Sequence, residues 1–348
     1  MSAARLFWLA VLALLLWLGV YLLHDRNERD DVAPAAQPLL PGLSQRLKAV
    51  TALKIVGAGN QVLVSLRQQD DRWTIDQRQA WPADAEVLRP LLMKLSQARR
   101  VEAKTDDPAR YARLAVEDIA AADAKGTALT IEGGGAPIAL IVGHNAPSGT
   151  GSFVRLGNER QAWLIDADLT LERDPSRWLD RRIADIPLAR IDRVLIMPAN
   201  GHSYTLTRVD DRFSLEGMPA TALGEPSSGD ALAGLFDQLS FDDVAADAPG
   251  SPIEQTLQYV GIDGVSLTVS AWRLQDKVWI RVRASLDEVR ASRWASAGKP
   301  ADATRKLAEL RRQVAEWQAR FAGHRFQLPV YKAQYLLRSR EHFLVGHL

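Results

Sequence analysis

Residues 53–75 read LKIVGAGNQVLVSLRQQDDRWTI, and residues 193–215 read RVLIMPANGHSYTLTRVDDRFSL. Laid over each other, the two segments align without a gap. Asp70-Asp71-Arg72-Trp73 falls over Asp210-Asp211-Arg212-Phe213, and Ile75 over Leu215. In both, apolar and polar residues alternate around turns containing Gly or Asn, the pattern of hairpin strands with one buried face. A hairpin of this kind occurring twice in one chain predicts a repeated unit.

The correspondence extends outward. Leu88, Leu91, Leu92 and Leu95 match Leu232, Leu235, Phe236 and Leu239, apolar stripes at helical spacing. Pro90 inside the first stripe predicts a kink or a later helix start. Asp107-Pro108 and Ser251-Pro252 each offer a capping side chain followed by proline at a first helical position. Related turns follow at Leu114 to Asp118 and Val260 to Gly264. Strands expected at 128–132 and 137–142 are matched to 266–270 and 277–283, at a steady offset near 140. The fold class read from this is α+β: two tandem units, 46–185 and 186–348, each running hairpin, helix, helix, hairpin, with helices packed on antiparallel strands.

The first unit adds strands near 152–156 and 161–165 and a helix capped by Asp174 ahead of Pro175. The second carries a long helix, about 302–322, in which Leu307, Leu310, Val314, Trp317 and Phe321 recur at three- and four-residue steps. Arg305, Arg311, Arg312 and Arg320 are left to its other faces. Phe326 to Leu337 reads as the counterpart of Trp163 to Leu171.

Ahead of both units, Leu6 to Leu23 runs LFWLAVLALLLWLGVYLL, eighteen residues without a charge. As a helix this spans about 27 Å, close to the hydrocarbon thickness of a bilayer. Trp8, Trp17 and Tyr21 lie toward its ends, where amphipathic rings favour the interface. A cleaved signal peptide would have a shorter apolar run and small residues at a cleavage site soon after it. Leu22, Leu23 and His24 stand there instead, so residues 1–24 read as a single-pass anchor in contact with the lipid bilayer. Arg5 and the α-amino group on one side nearly balance Arg26 and Arg29 on the other, so flanking charge does not set the direction. The orientation taken has the amino terminus in the cytoplasm and the large region in the periplasm. Residues 25–45, with Pro34, Pro38 and Pro41, are expected to be an extended spacer.

The chain has 348 residues, 47% apolar and 24% charged, which suits two globular domains. A formal net charge of +1 and the lack of a basic cluster interleaved with aromatics give no footprint for nucleic acid. Cysteine is absent, which excludes disulfides, thiolate chemistry and acylation at Cys.

No catalytic, cofactor-binding or metal-ligating residues are assigned. Ile55-Val56-Gly57-Ala58-Gly59-Asn60 resembles a dinucleotide loop, but the third glycine is missing and Val62 to Leu66 reads as a strand where a helix is required. Gly143 to Ser152, GHNAPSGTGS, lacks the lysine of a phosphate loop, and Ser148 lacks flanking glycines. It reads as a hairpin connection, and it is the first place to look for a ligand. Histidines 24, 144, 202, 324, 342 and 347 show no ligand spacing. Asp70-Asp71 and Asp210-Asp211 read as turn residues, and Asp242-Asp243 forms a third acidic pair. Trp73 and Phe213 are expected in the core. Trp272 and Trp279 lie on strands and could line a groove.

Taken in order along the chain, these features resemble a bacterial family known as domain of unknown function 4340. The resemblance covers the anchor, Asp70 to Ile75, Trp81-Pro82-Ala83-Asp84, Asp107 to Val116, Ser176 to Ile186, and Phe326-Gln327-Leu328-Pro329. It implies no enzymatic activity and no defined site residues. It does imply a periplasmic accessory role in the inner membrane beside ABC transporters of the gliding-motility type. The expectation is a non-catalytic, membrane-anchored interaction module without a cofactor, whose partners are a transporter permease or other envelope proteins. The alternative is an envelope hydrolase with its site in a cleft between the two units.

Overall fold

Alternating burial marks the strands, which pair antiparallel. A computed structural model describes residues 37–147, 149–209, 211–219, 225, 227–298 and 300–344. The anchor expected at 6–23 and the spacer as far as residue 36 lie outside the described residues. No helix among the described residues is long and apolar enough to cross a membrane. The described residues divide into two compact units, 37–63 with Glu86–Arg173, and Val64–Ala85 with 174–344.

In chain order the elements of the first half are β1 (Gln37–Pro38), α1 (Leu43–Arg46), β2 (Ala52–Gly57), β3 (Gln61–Gln69), β4 (Arg72–Ile75), β5 (Trp81–Pro82), α2 (Ala85–Gln97), β6 (Arg99–Ala103), β7 (Thr127–Glu132), β8 (Ile138–Asn145), β9 (Ser152–Leu156) and β10 (Ala162–Ile165). Within the first unit the strands are hydrogen-bonded in the order β1-β6-β10-β9-β8-β7-β2. Leu53 and Ile55 of β2 face Ile131 and Leu129 of β7, and all four are buried. Gly133, at φ +113°, turns β7 toward β8; a Cβ there would lie 2.1 Å from the Ala49 carbonyl oxygen, so only glycine fits.

Two expectations change in this unit. Residues 37–45 are not spacer: β1 pairs with β6, and Leu39, Leu40 and Leu43 are buried. The prolines shape a chain whose leucines have a core to enter. The helix with Pro90 starts before the proline, at Ala85, and continues through it to Gln97, burying Leu88, Leu92 and Leu95. The short helix after Asp107 is a single 3₁₀ segment, Pro108–Arg113, with the Asp107 carboxylate accepting from the Ala109 N–H (3.0 Å). Asp174 caps Pro175–Trp178 in the same way.

The second unit contains β4, β5 and most of β3, followed by β11 (Ile191–Pro198), β12 (Tyr204–Val209), β13 (Arg212–Leu215), α3 (Ser228–Ala233), β14 (Asp243–Ala246), β15 (Gln255–Gly261), β16 (Val265–Leu274), β17 (Lys277–Leu286), α4 (Glu288–Ser296), α5 (Ala303–Phe321), β18 (His324–Gln327) and α6 (Val330–Leu336). Eight of its strands run β13-β12-β11-β15-β16-β17-β18-β14. The long helix α5 buries Leu310, Val314 and Phe321 and packs on α4 and β17. Arg311 of α5 grips Glu288 from its exposed side, but Arg320 turns inward, over the ring of Trp81 at 4.9 Å. The helix expected after Ser251 is not formed; the Ser251 hydroxyl donates to the Ala248 carbonyl (2.9 Å) and β15 begins at Gln255.

The same strand order occurs twice. The run β6-β10-β9-β8-β7-β2 is matched by β14-β18-β17-β16-β15-β11, antiparallel throughout. Trp163 faces Ala103 and Val154, as Phe326 faces Val244 and Ile280. The hairpins also match: Leu66 pairs with Ile75 and Gln69 with Arg72, as Leu206 pairs with Leu215 and Val209 with Arg212.

This order corrects the sequence alignment in two places. The strands at 127–132 and 138–145 correspond to 255–261 and 265–274, so the expected match to 266–270 and 277–283 lies one strand too far along. Period-two patterns resemble one another, and pattern alone cannot distinguish neighbouring strands. Buried Leu53 and Ile55 correspond to Val194 and Ile196, one residue out of step with the hairpins that follow. The turn differs by one residue, and a one-residue shift reverses the faces of a strand.

Candidate functional site

Tyr204 opens β12 and Gln255 opens β15, and both side chains turn inward. Around them the β11–β12 connection, the end of β13 at Leu215-Glu216, Pro252 to Glu254, and the segment following α6 enclose a hollow of about 910 Å³. The Tyr204 hydroxyl donates to the Arg338 carbonyl (3.0 Å), and its ring leans on Phe343 at 6.2 Å. Burial pushes this phenol well above its ordinary pKa; the Gln255 side chain pulls it back and the Glu341 charge adds to the rise. Gln255 is only 4% exposed; its amide faces the Tyr204 hydroxyl, but Nε2 makes no hydrogen bond of normal geometry among the described residues. Glu254 at the rim is held by Arg273, through the backbone N–H and Nη1, both at 2.7 Å.

The charges lining the hollow are Glu216, Glu254 and Glu341 against Arg340, and His202 is exposed at its edge. Such a surface suits cationic groups and hydrogen-bond donors. Among the described residues no hydrogen bond links His202 to a carboxylate or hydroxyl, and no group of three His, Cys, Asp or Glu side chains could hold a metal ion.

The other sequence-selected residues take structural positions. At 143–152, the buried Ser152 hydroxyl donates to Asn145 Oδ1 (2.7 Å) and accepts from the Leu169 N–H (2.8 Å), while Asp168 accepts from the Gly151 N–H (2.6 Å). This connection is held by its own hydrogen bonds, and the large hollow lies elsewhere. Ser148, His24 and His347 lie outside the described residues, as does the His342 side chain. His144 is exposed on β8.

Gly59 and Asn60 form a left-handed turn leading into strand β3, so no helix N-terminus is presented there to a phosphate. Asp70 and Asp71, at φ +47° and +60°, make the two-residue turn of their hairpin, and Asp211 sits at φ +64° in the matching turn. Asp210 is outside the described residues. Asp243 instead sits on β14 and accepts from Arg78 Nε (2.6 Å) and Nη2 (3.1 Å). Phe213 is fully buried, but Trp73 only partly. Trp272 and Trp279 are buried and face each other across β16 and β17, so they line no groove.

Sequence reasoning missed the cluster around Trp81. Phe241, Phe326 and His324 meet its ring edge-on at 5.5, 5.1 and 5.2 Å, and its indole N–H donates to the Asp180 carbonyl (2.8 Å). Both nitrogens of His324 are buried without a partner among the described residues. These residues are far apart in the chain, and only the apolar character of Trp81-Pro82 could have marked one of them. The family model described as domain of unknown function (DUF4340) matches residues 73–258, just over half of the chain. No curated protein and no solved structure matches it.

Proposed function

We propose, from the premise that this chain belongs to the DUF4340 family, that it is a non-catalytic interaction module tethered to the bacterial inner membrane. One observation carries the proposal: the uncharged stretch from Leu6 to Leu23 is followed, after only residues 24–36, by a chain already folded at Gln37. Those thirteen residues reach at most about 45 Å when fully extended. A tether that short keeps the folded region close to the bilayer, within reach of other membrane proteins. The orientation proposed is periplasmic, and the family resemblance makes an ABC-transporter permease the first partner to seek. The repeated strand order and matching hairpin registers support an origin by internal duplication, with β6 equivalent to β14 and β10 to β18. Two sheets built alike offer two related surfaces, which suits assembly better than a single reaction centre.

Carbonate extraction with a carboxyl-terminal alkaline phosphatase fusion tests the tether. The proposal expects the chain in the membrane pellet and an active fusion; release into the supernatant, or an inactive phosphatase beside an active cytoplasmic reporter, would overturn it. Crosslinking and co-purification test the partner, and recovery of a solitary protein would refute the interaction role. An envelope hydrolase is the second reading, favoured by His202 at the edge of the large hollow. Esterase turnover by the purified chain, abolished by His202→Ala, would put it first.

A further inference from the structure

We infer that the hollow at Tyr204 is a docking site for a basic, extended segment of a partner protein. This rests on the interaction reading above and gives it a place and a chemistry. The volume, about 910 Å³, lies at the upper end of the range for recognition sites and exceeds what a few waters or an ion require. With the Arg273 guanidinium on Glu254 counted, three carboxylates face two guanidiniums, an acidic excess of one charge that is complementary to lysine or arginine. The walls also present Leu215, Ile253 and Leu337, on which the methylene stem of a long basic side chain can lie while its charged end reaches the rim.

The floor supplies the second, independent observation. Gln255 is buried, and its amide N–H, beside the Tyr204 hydroxyl, makes no well-formed hydrogen bond among the described residues. A buried donor of this kind is costly until something accepts from it, and a peptide carbonyl does so naturally. The other candidates fit less well. No three metal-ligating side chains converge among the described residues. A saccharide would want an exposed aromatic platform, but the ring in the wall, Tyr204, is buried and engaged with Phe343.

The test uses the full chain in detergent and three probes: fluorescein-labelled Gly-Lys-Leu-Lys-Gly-Lys, the same peptide with Glu for each Lys, and unlabelled chitotetraose as competitor. Anisotropy should report saturable binding of the lysine peptide alone, weakening at least about tenfold as salt rises from roughly 50 to 500 mM. Joint Glu216→Gln and Glu341→Gln substitution, at the rim, should weaken it by about tenfold or more. Gln255→Leu should weaken it roughly threefold or more without altering circular dichroism. If Gln255→Leu fails to fold, the two rim substitutions still decide the matter. Equal binding of the glutamate peptide, displacement by chitotetraose, no binding, or indifference to the rim substitutions would each overturn the inference. If a membrane partner is still captured equally by the wild type and the rim variant, the docking site falls and the interaction module stands. If the lysine peptide binds but no membrane partner is recovered, the docking chemistry stands and the interaction module falls.

Discussion

Trp81 is the residue on which the second unit should depend most. It belongs to the short segment Val64–Ala85, joined to the rest of that unit across a long stretch of sequence. It is 1% exposed, with three aromatic neighbours at its edge and Arg320 over its face. Truncating a buried tryptophan to alanine costs about 3–5 kcal/mol. Trp81→Ala also leaves the Asp180 carbonyl without its indole donor, worth about 1 kcal/mol more. The expected loss is therefore about 4–6 kcal/mol, or roughly three to four decades of opening equilibrium. Trp81→Phe keeps most of the ring contacts and loses the hydrogen bond, and should cost only about 1–2 kcal/mol. Hydrogen exchange by mass spectrometry on the full chain reads both variants, through peptides covering 64–85, 241–246 and 324–327. A change below about tenfold for Trp81→Ala, or equal effects of the two substitutions, would refute the central role given to this ring.

Two further outcomes follow from buried polar groups. Asp263, buried at the β15–β16 turn, pairs with Arg190, whose Nη2 also donates to Gln313 (2.8 Å). Asp263→Ala should cost about 3–5 kcal/mol in urea unfolding, because it strands a partly buried guanidinium, and Arg190→Met with Asp263→Leu should recover most of that loss. Tyr204 and Tyr259 are both raised by burial, so absorbance titration to pH 11 should leave at least these two phenols un-ionised until urea is added. For a group whose folded pKa lies above its unfolded value, the stabilisation is full below the unfolded value. It should therefore begin to fade above about pH 10, and a flat stability profile from pH 9 to 12 would contradict it.

Local signals in the sequence were legible where chemistry and geometry lie within a few residues of each other. The Asp70-Asp71 turn, the Asp107-Pro108 and Asp174-Pro175 caps, and the stripe in α5 are all of this kind, because each is decided by its own neighbours. The spacer reading failed over 37–45 because prolines at 38 and 41 outweighed Leu39, Leu40 and Leu43, although buried leucines need only a neighbouring core to hold a proline-rich chain in place. The alignment of the second half slipped by one strand for a similar reason. Alternation identifies a strand and its inward face, while its place in the sheet is fixed by partners far along the chain.

The same division explains why the candidate site was not legible. Tyr204, Gln255 and Glu341 lie in three separate stretches of sequence, and none stands in a motif. Of the stretches that attracted attention, the glycine-rich loop at 143–152 is occupied with its own hydrogen bonds, through Ser152, Asn145 and Asp168. A glycine-rich stretch advertises backbone freedom, which a hairpin connection needs as much as a ligand does. Unspent hydrogen-bonding capacity is the better guide to recognition, because a buried donor without an acceptor is retained against a free-energy cost. Gln255, whose amide makes no well-formed hydrogen bond, comes nearest to that at the floor of the large hollow, and the sequence around it, Ile253-Glu254-Gln255-Thr256, gives no sign of it. The case for docking therefore stands on one amide and the charges around it, and substitution of those residues is the direct way to decide it.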